Sequence, residues 1–215
     1  YRTVAAKPAV DVAAGVYDDA ESLTLTITGE NVHYTLDGSE PTENDAAYTS
    51  PITITETTIV RAASFPADAL PGKAATWSYF LRENSTLPIV SLVTDPDNLT
   101  GARGIYSNHE QAWSEKWERE ATVAMYEDGG EFSIDCGIRM HGRTSRRVSE
   151  KKSFTLKFRG RYGGDLSYDV FGDGVVTDFS SLLLRASVED TYTSYMRDEF
   201  FARIAMDYTD VPAQN

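Results

Sequence analysis

Through the first eighty residues, apolar side chains recur at every second position in short runs broken by turn formers. Leu23, Leu25 and Ile27 alternate with threonines in SLTLTITG, and Val32, Tyr34 and Leu36 alternate in NVHYTLDG. Ile52 and Ile54 do so in PITITE, Ile59 opens another run in TIVRAASF, and TWSYFL reads as a closing strand. A period of two places one face of each run inward, because successive strand side chains point to opposite sides. Asp37-Gly38 followed by Ser39, Glu40 and Pro41 has the chemistry of a turn: glycine accepts a positive φ and proline ends a strand. Several short strands with regular turn signals predict a β-sandwich over residues 1–84.

The pattern then changes. RENSTLP, residues 82–88, reads as a linker, after which aromatics, arginines and glycines dominate. Strands are expected at 89–93, 121–126, 134–141, 153–158 and 181–185. WSEKWERE, residues 113–120, suits a short helix or an ordered loop. Over 193–206, Met196, Phe200, Phe201 and Ile204 recur at helical spacing, which predicts one long helix. Strands followed by a helix, without βαβ alternation, give residues 87–215 an α+β arrangement. The expected fold class is thus mainly β, a sandwich followed by an α+β domain.

Length and composition narrow the function. The chain of 215 residues has room for two domains. No apolar run reaches the roughly 18 residues of a membrane span, so none is expected. Lys and Arg number 20 against 33 Asp and Glu, a net charge of -13. That balance argues against nucleic acid or anionic lipid as a partner, and any anion site has to be local. A single cysteine, Cys136, leaves no intrachain disulfide, and His33, His109 and His141 are too scattered for a zinc cluster, so no structural metal is expected. The sequons at Asn84 and Asn98 are of a kind that arises by chance. Starting at Tyr1 and ending in DYTDVPAQN, the sequence reads as a piece of a longer polypeptide.

One stretch runs against the overall charge. From residue 139 to 161 there are nine Lys or Arg and one acid, Glu150. In CGIRMHGRTSRRVSEKKSFTLKFRGRYG, Cys136, Ile138 and Met140 share one strand face and Arg139 and His141 the other. Phe154, Leu156 and Phe158 then face the core from the next strand. Two antiparallel strands joined by HGRTSRRVSEKK gather backbone N–H groups, hydroxyls and guanidinium forks, a donor set suited to phosphate oxygens. The alternative, a solvated face neutralising acidic neighbours, stays open on these residues alone. Neither a P-loop nor a GxGxxG spacing is present.

Two resemblances extend this reading. YTLDGSEP, then Tyr48 in AYTSPITI, then TTIVRAAS resemble the chitobiase/β-hexosaminidase C-terminal-type domain over roughly residues 8–80. That likeness implies an immunoglobulin-like accessory module of secreted bacterial proteins, with Asp37, Ser39 and Glu40 as turn formers. The ordered blocks LPIVSLVTDPDNL, GIYSN, WERE-ATVAMYEDGG, CGIRMHGRTSR, KKSFTLKFRGRYG and SLLLRASVEDTYTSYMRDEFFARIA, within 87–207, resemble the amino-terminal part of the CotH (spore coat protein H) kinase family. This implies a secreted or surface-associated atypical protein kinase, with a kinase-small-lobe-like domain that binds ATP and Mg or another divalent metal and acts on a protein substrate. It also implies that Gly142, Ser145 and Arg146 cover the nucleotide phosphates and that Lys151, or Lys152 one position on, contacts the α and β phosphates. Glu199, in the expected helix, is the candidate to pair with that lysine. Arg185, Asp190, Arg197 and Asp198 match a further block and are favoured as an ion-pair network. The segments that supply catalytic and metal-binding acids in that family do not occur in these residues, so weak nucleotide binding and no phosphotransfer are expected. The competing function is a non-catalytic surface module that binds polysaccharide or protein through Trp77, Trp113 and Trp117. Those tryptophans fit core or interface positions better than a sugar platform.

Overall fold

The computed structural model describes residues 2–127, 130–172 and 174–186. These divide into two compact units, one within Tyr1–Gly101 and Ala121–Ile134, the other within Ala102–Glu120 and Asp135–Asn215.

In the first unit the alternating runs fold as short strands: β1 (Ala9–Val10), β2 (Gly15–Tyr17), β3 (Leu23–Leu25), β4 (Ile27–Thr28), β5 (Val32–Thr35), β6 (Ala46–Ala47), β7 (Ile52–Ile54), β8 (Thr58–Ser64) and β9 (Ala75–Leu81). One sheet has the order β2-β9-β8-β5-β6, with β2 parallel to β9, and the pairs β1-β4 and β3-β7 are antiparallel. The inward faces of β3, β4 and β7 supply Leu25, Ile27, Ile52 and Ile54. They share a core with Val32, Val60, Ala62, Tyr79 and Leu81 from the five-stranded sheet. Trp77 packs against that core, as expected. Removing these side chains from water is the main stabilising term, about 1.5–3 kcal/mol for each large one. The Tyr79 hydroxyl reaches the Val12 carbonyl at 2.9 Å, so its polar end is satisfied, and burial raises its pKa.

The opposite side of β9 is covered as well. β10 (Ile89–Val93), a one-turn helix α1 (Pro96–Thr100), β11 (Arg119–Glu127) and β12 (Gly130–His141) follow, and β10 pairs antiparallel with β11 from Ile89↔Tyr126 to Val93↔Thr122. Ser78 and Ser91 share a buried hydrogen bond of 2.7 Å, and Phe80 meets Tyr126 edge to face at 5.7 Å. β9 therefore buries both faces, which is why its apolar and polar residues are both sequestered.

In the second unit, Glu115–Trp117 forms a 3-10 turn within the tryptophan-containing stretch. The helix α2 (Ser145–Val148), β13 (Ser153–Lys157), β14 (Leu166–Ser167), β15 (Asp178–Phe179) and β16 (Ser181–Leu184) complete the described elements. β12, β13 and β16 are neighbours in that order, both pairs antiparallel, and β14 pairs with β15. Cys136, Ile138 and Met140 of β12 are buried with Leu156, Phe158 and Ile105, while Arg139 and His141 lie on the other face. The described residues are mainly β, with helices of five and four residues. The helix expected at 193–206 lies outside the described residues, as do Glu199, Asp190, Arg197 and Asp198. Among the described residues no helix is long and apolar enough to cross a membrane.

Candidate functional site

The ladder between β12 and β13 closes at His141↔Ser153, so residues 142–152 form one loop leaving the sheet at a fixed pair. Gly142 opens it at φ +90°, a conformation that side chains with a Cβ rarely take, and a Cβ there would collide with the Ser145 hydroxyl. The chain then turns through α2, with the Ser149 N–H donating to the Ser145 carbonyl at 3.1 Å.

Two of the loop's cations point inward and build it. Arg146 is 8% exposed; its guanidinium donates to the Gly142 carbonyl and, through Nε at 3.2 Å, to the Glu110 carbonyl. It also lies 5.8 Å from the centre of the Trp113 ring. Lys152 donates to the Arg146 carbonyl at 2.8 Å and to that of Ser149, with its ammonium 5.9 Å from the Tyr106 ring. Tyr106 in turn donates to the Glu150 carbonyl. Desolvation lowers the pKa of both cations, and Arg147 and Arg143 add to the effect at Arg146. The carbonyl ends of α2 are thereby satisfied by a lysine, a role the sequence shows only as a doublet.

The remaining loop cations, Arg143, Arg147 and Lys151, are exposed. The structure thus gathers Gly142, Ser145, Arg146, Lys151 and Lys152 into one loop and gives them different work. It separates the Lys151-Lys152 doublet, the first lysine outside and the second within. Sequence reasoning missed Arg143 and Arg147 as the outward-facing charges and Trp113 as the neighbour of Arg146; the Arg146-Arg147 doublet was the signal available. Of the core or interface positions expected of the tryptophans, Trp113 does not take a core one, with 56% of its surface exposed, while Trp117 is half-buried with the Arg119 guanidinium 5.5 Å from its ring. At the loop's base His141 meets the Thr155 hydroxyl at 3.1 Å, and desolvation, then Arg185 and Arg139, lowers its pKa.

Two other arginines of the basic stretch are committed elsewhere. The Glu118 side chain is fully buried and accepts from Arg159 Nε at 3.0 Å, Arg159 Nη2 at 3.1 Å, Arg161 and the Tyr162 hydroxyl at 3.2 Å. Glu115 adds a second carboxylate to Arg159 at 2.8 Å. These carboxylates raise the pKa of both arginines. Gly137 makes room for the carboxylate, since a Cβ there would lie 2.6 Å from Glu118 Oε1. A buried carboxylate with this many donors is a structural centre.

The first unit offers a contrasting site. A groove of about 510 Å³ is lined by Val16, Leu87, Pro88, Ile89 and Tyr126 together with the carboxylates of Asp18, Glu127 and Glu131. Burial, helped by Glu131, pushes the Tyr126 hydroxyl up to about 12. Its acidic rim repels anions. In the turn after β5, Asp37 accepts from the Ser39 N–H at 3.0 Å and hydroxyl at 2.6 Å, which holds its pKa down. Arg61 donates to the Gly38 carbonyl at 3.1 Å and pairs with Glu40. Asp37, Ser39 and Glu40 therefore form the turn itself.

No curated protein and no solved structure matches this chain. Within the first unit, however, the strands β3 to β8 and the Arg61-anchored turn fall inside residues 12–73, which match the family model of the chitobiase/beta-hexosaminidase C-terminal domain.

Proposed function

We propose that the chain joins an immunoglobulin-like accessory module to the nucleotide-binding part of a secreted or surface-associated, CotH-like atypical kinase, with the 142–152 loop as its phosphate site. The observation that carries this reading is the division of labour in the loop. Arg146 and Lys152 hold the backbone from within, so Arg143, Arg147 and Lys151 are presented on a shaped frame. A cationic donor set of this kind suits phosphate oxygens, and the divalent ion enters as counter-ion of the nucleotide. Arg143, Arg147 and Lys151 are the residues that would hold the phosphates, and the buried pair keeps them in place. The protein substrate and an extracellular or bacterial cell-surface location belong to the same proposal.

Calorimetric titration with Mg·ATP tests it. Lys151→Ala and Arg147→Ala should each weaken binding about tenfold or more, because a charge-assisted hydrogen bond contributes about 1.5–3 kcal/mol. Melting temperature should stay put, since exposed cations contribute only about 0–1 kcal/mol to stability. Lost stability with unchanged affinity would make the loop architectural.

A second reading, a surface module for carbohydrate or protein, is favoured by the family match of residues 12–73 and the exposure of Trp113. Glycan-array binding that is lost in Trp113→Ala, without any response to Mg·ATP, would select it.

A further inference from the structure

We infer that Trp113 is a stacking platform for a planar ring attached to the phosphates, so that the loop selects a nucleotide over a bare polyphosphate; the inference rests on the phosphate reading above. The indole is exposed, yet the backbone that carries it is fixed. The Trp113 backbone N–H donates to the Gln111 carbonyl at 2.9 Å. The neighbouring Ala112 is fully buried, with its carbonyl accepting the Met140 N–H at 2.9 Å, which ties the segment to β12. The Arg146 guanidinium beside the ring is itself pinned by the Gly142 and Glu110 carbonyls. An aromatic surface held in this way loses little conformational freedom when a second ring stacks on it.

Position gives the ligand its chemistry. Arg146 lies against the indole, and Arg143 and Arg147, the outward-facing cations of the same loop, are close enough to Arg146 to act on its guanidinium electrostatically. Phosphate donors and an open aromatic face are therefore neighbours, as a nucleotide requires. The other tryptophans do not combine these features: Trp77 packs on the first unit's core, and Trp117 is half-buried with Arg119 near its ring. Tyr106 of the same loop environment is engaged through its hydroxyl to Glu150 and its ring to Lys152.

The experiment compares Mg·ATP with magnesium tripolyphosphate by calorimetry on the full chain, in the native protein, Trp113→Ala and Trp113→Phe. Tripolyphosphate carries the greater phosphate charge, so any preference for ATP reports its ring and sugar. The native protein should bind ATP about tenfold or more tightly than tripolyphosphate, the scale expected of one stacked base. Trp113→Ala should remove that preference and leave tripolyphosphate affinity unchanged, and Trp113→Phe should retain most of it. Equal affinities in the native protein, or a preference that survives Trp113→Ala, would overturn the platform while the phosphate site stands. If neither ligand binds, the phosphate reading fails and takes the platform with it.

Discussion

Each unit secures a loop with an inward-turned arginine, and the two differ in what cancels the charge. Arg61 donates to the Gly38 carbonyl and meets the Glu40 carboxylate, so the DGSEP turn closes on an ion pair. Arg146 donates to the carbonyls of Gly142 and Glu110, and the Glu110 carboxylate acts on it only through space, as the smallest of the influences on its pKa. The first turn spends its cation on shape. In the second, the cation serves shape and its positive potential persists beside Arg143, Arg147 and Lys151. A buried arginine by itself therefore indicates architecture; bonding to carbonyls where Arg61 bonds to a carboxylate is what suits the second loop to anions.

The largest effect that can break this contrast is expected at Arg61. Arg61→Ala removes a buried guanidinium, strands the Gly38 carbonyl and should cost about 3 kcal/mol, read by chemical denaturation. A cost below about 1 kcal/mol would remove the ion pair from the account of the turn. Gly142→Ala comes next: the positive φ and the collision with Ser145 should cost about 1–3 kcal/mol and weaken Mg·ATP binding with it. Unchanged affinity would separate the loop's shape from its phosphate function. Glu118→Gln should cost about 1–3 kcal/mol through weaker hydrogen bonds to Arg159, and it frees positive charge in the second unit, so Mg·ATP affinity should hold or rise.

Acidification sharpens the comparison by a smaller amount. His141 has a folded pKa below its ordinary value of 6.5, so the fold favours the neutral ring. Its contribution is fully present above the unfolded value and is lost as pH falls below 6.5 toward the folded pKa. Asp37 and Asp11, held down by Ser39 and Thr26, keep their contribution until pH falls below 3.8 and through their folded values. Denaturation followed against pH should therefore show His141→Gln flattening the slope just below 6.5, and Asp37→Asn flattening only the more acidic limb. A His141→Gln profile that superimposes on the native one would place the imidazole outside this linkage.

Local pattern carried much of the fold. The alternation in SLTLTITG and PITITE delivered β3, β4 and β7 with their apolar faces inward, and CGIRMH and SFTLKF delivered the β12-β13 ladder. A period of two is a property of neighbours along the chain, and it is visible wherever one face of a strand is dry. The excess of cations from residue 139 to 161 was equally legible, because charge is counted and needs no geometry. Which cations remain outward was not. Glu118 captures Arg159 from 41 positions away, and Arg146 bonds to Glu110 from 36. Nothing in either local sequence marks these partners, since only the folded backbone brings them within hydrogen-bonding distance. Trp113 shows the same limit: its exposed ring follows from the burial of Ala112 and the bond from Met140, both fixed by β12. The sequence by itself thus determined the strands, their inward faces and the local surplus of positive charge. Tertiary structure alone decided which charges are cancelled and which face outward, because pairing energy depends on distance in space and on burial, and neither is encoded by separation along the chain.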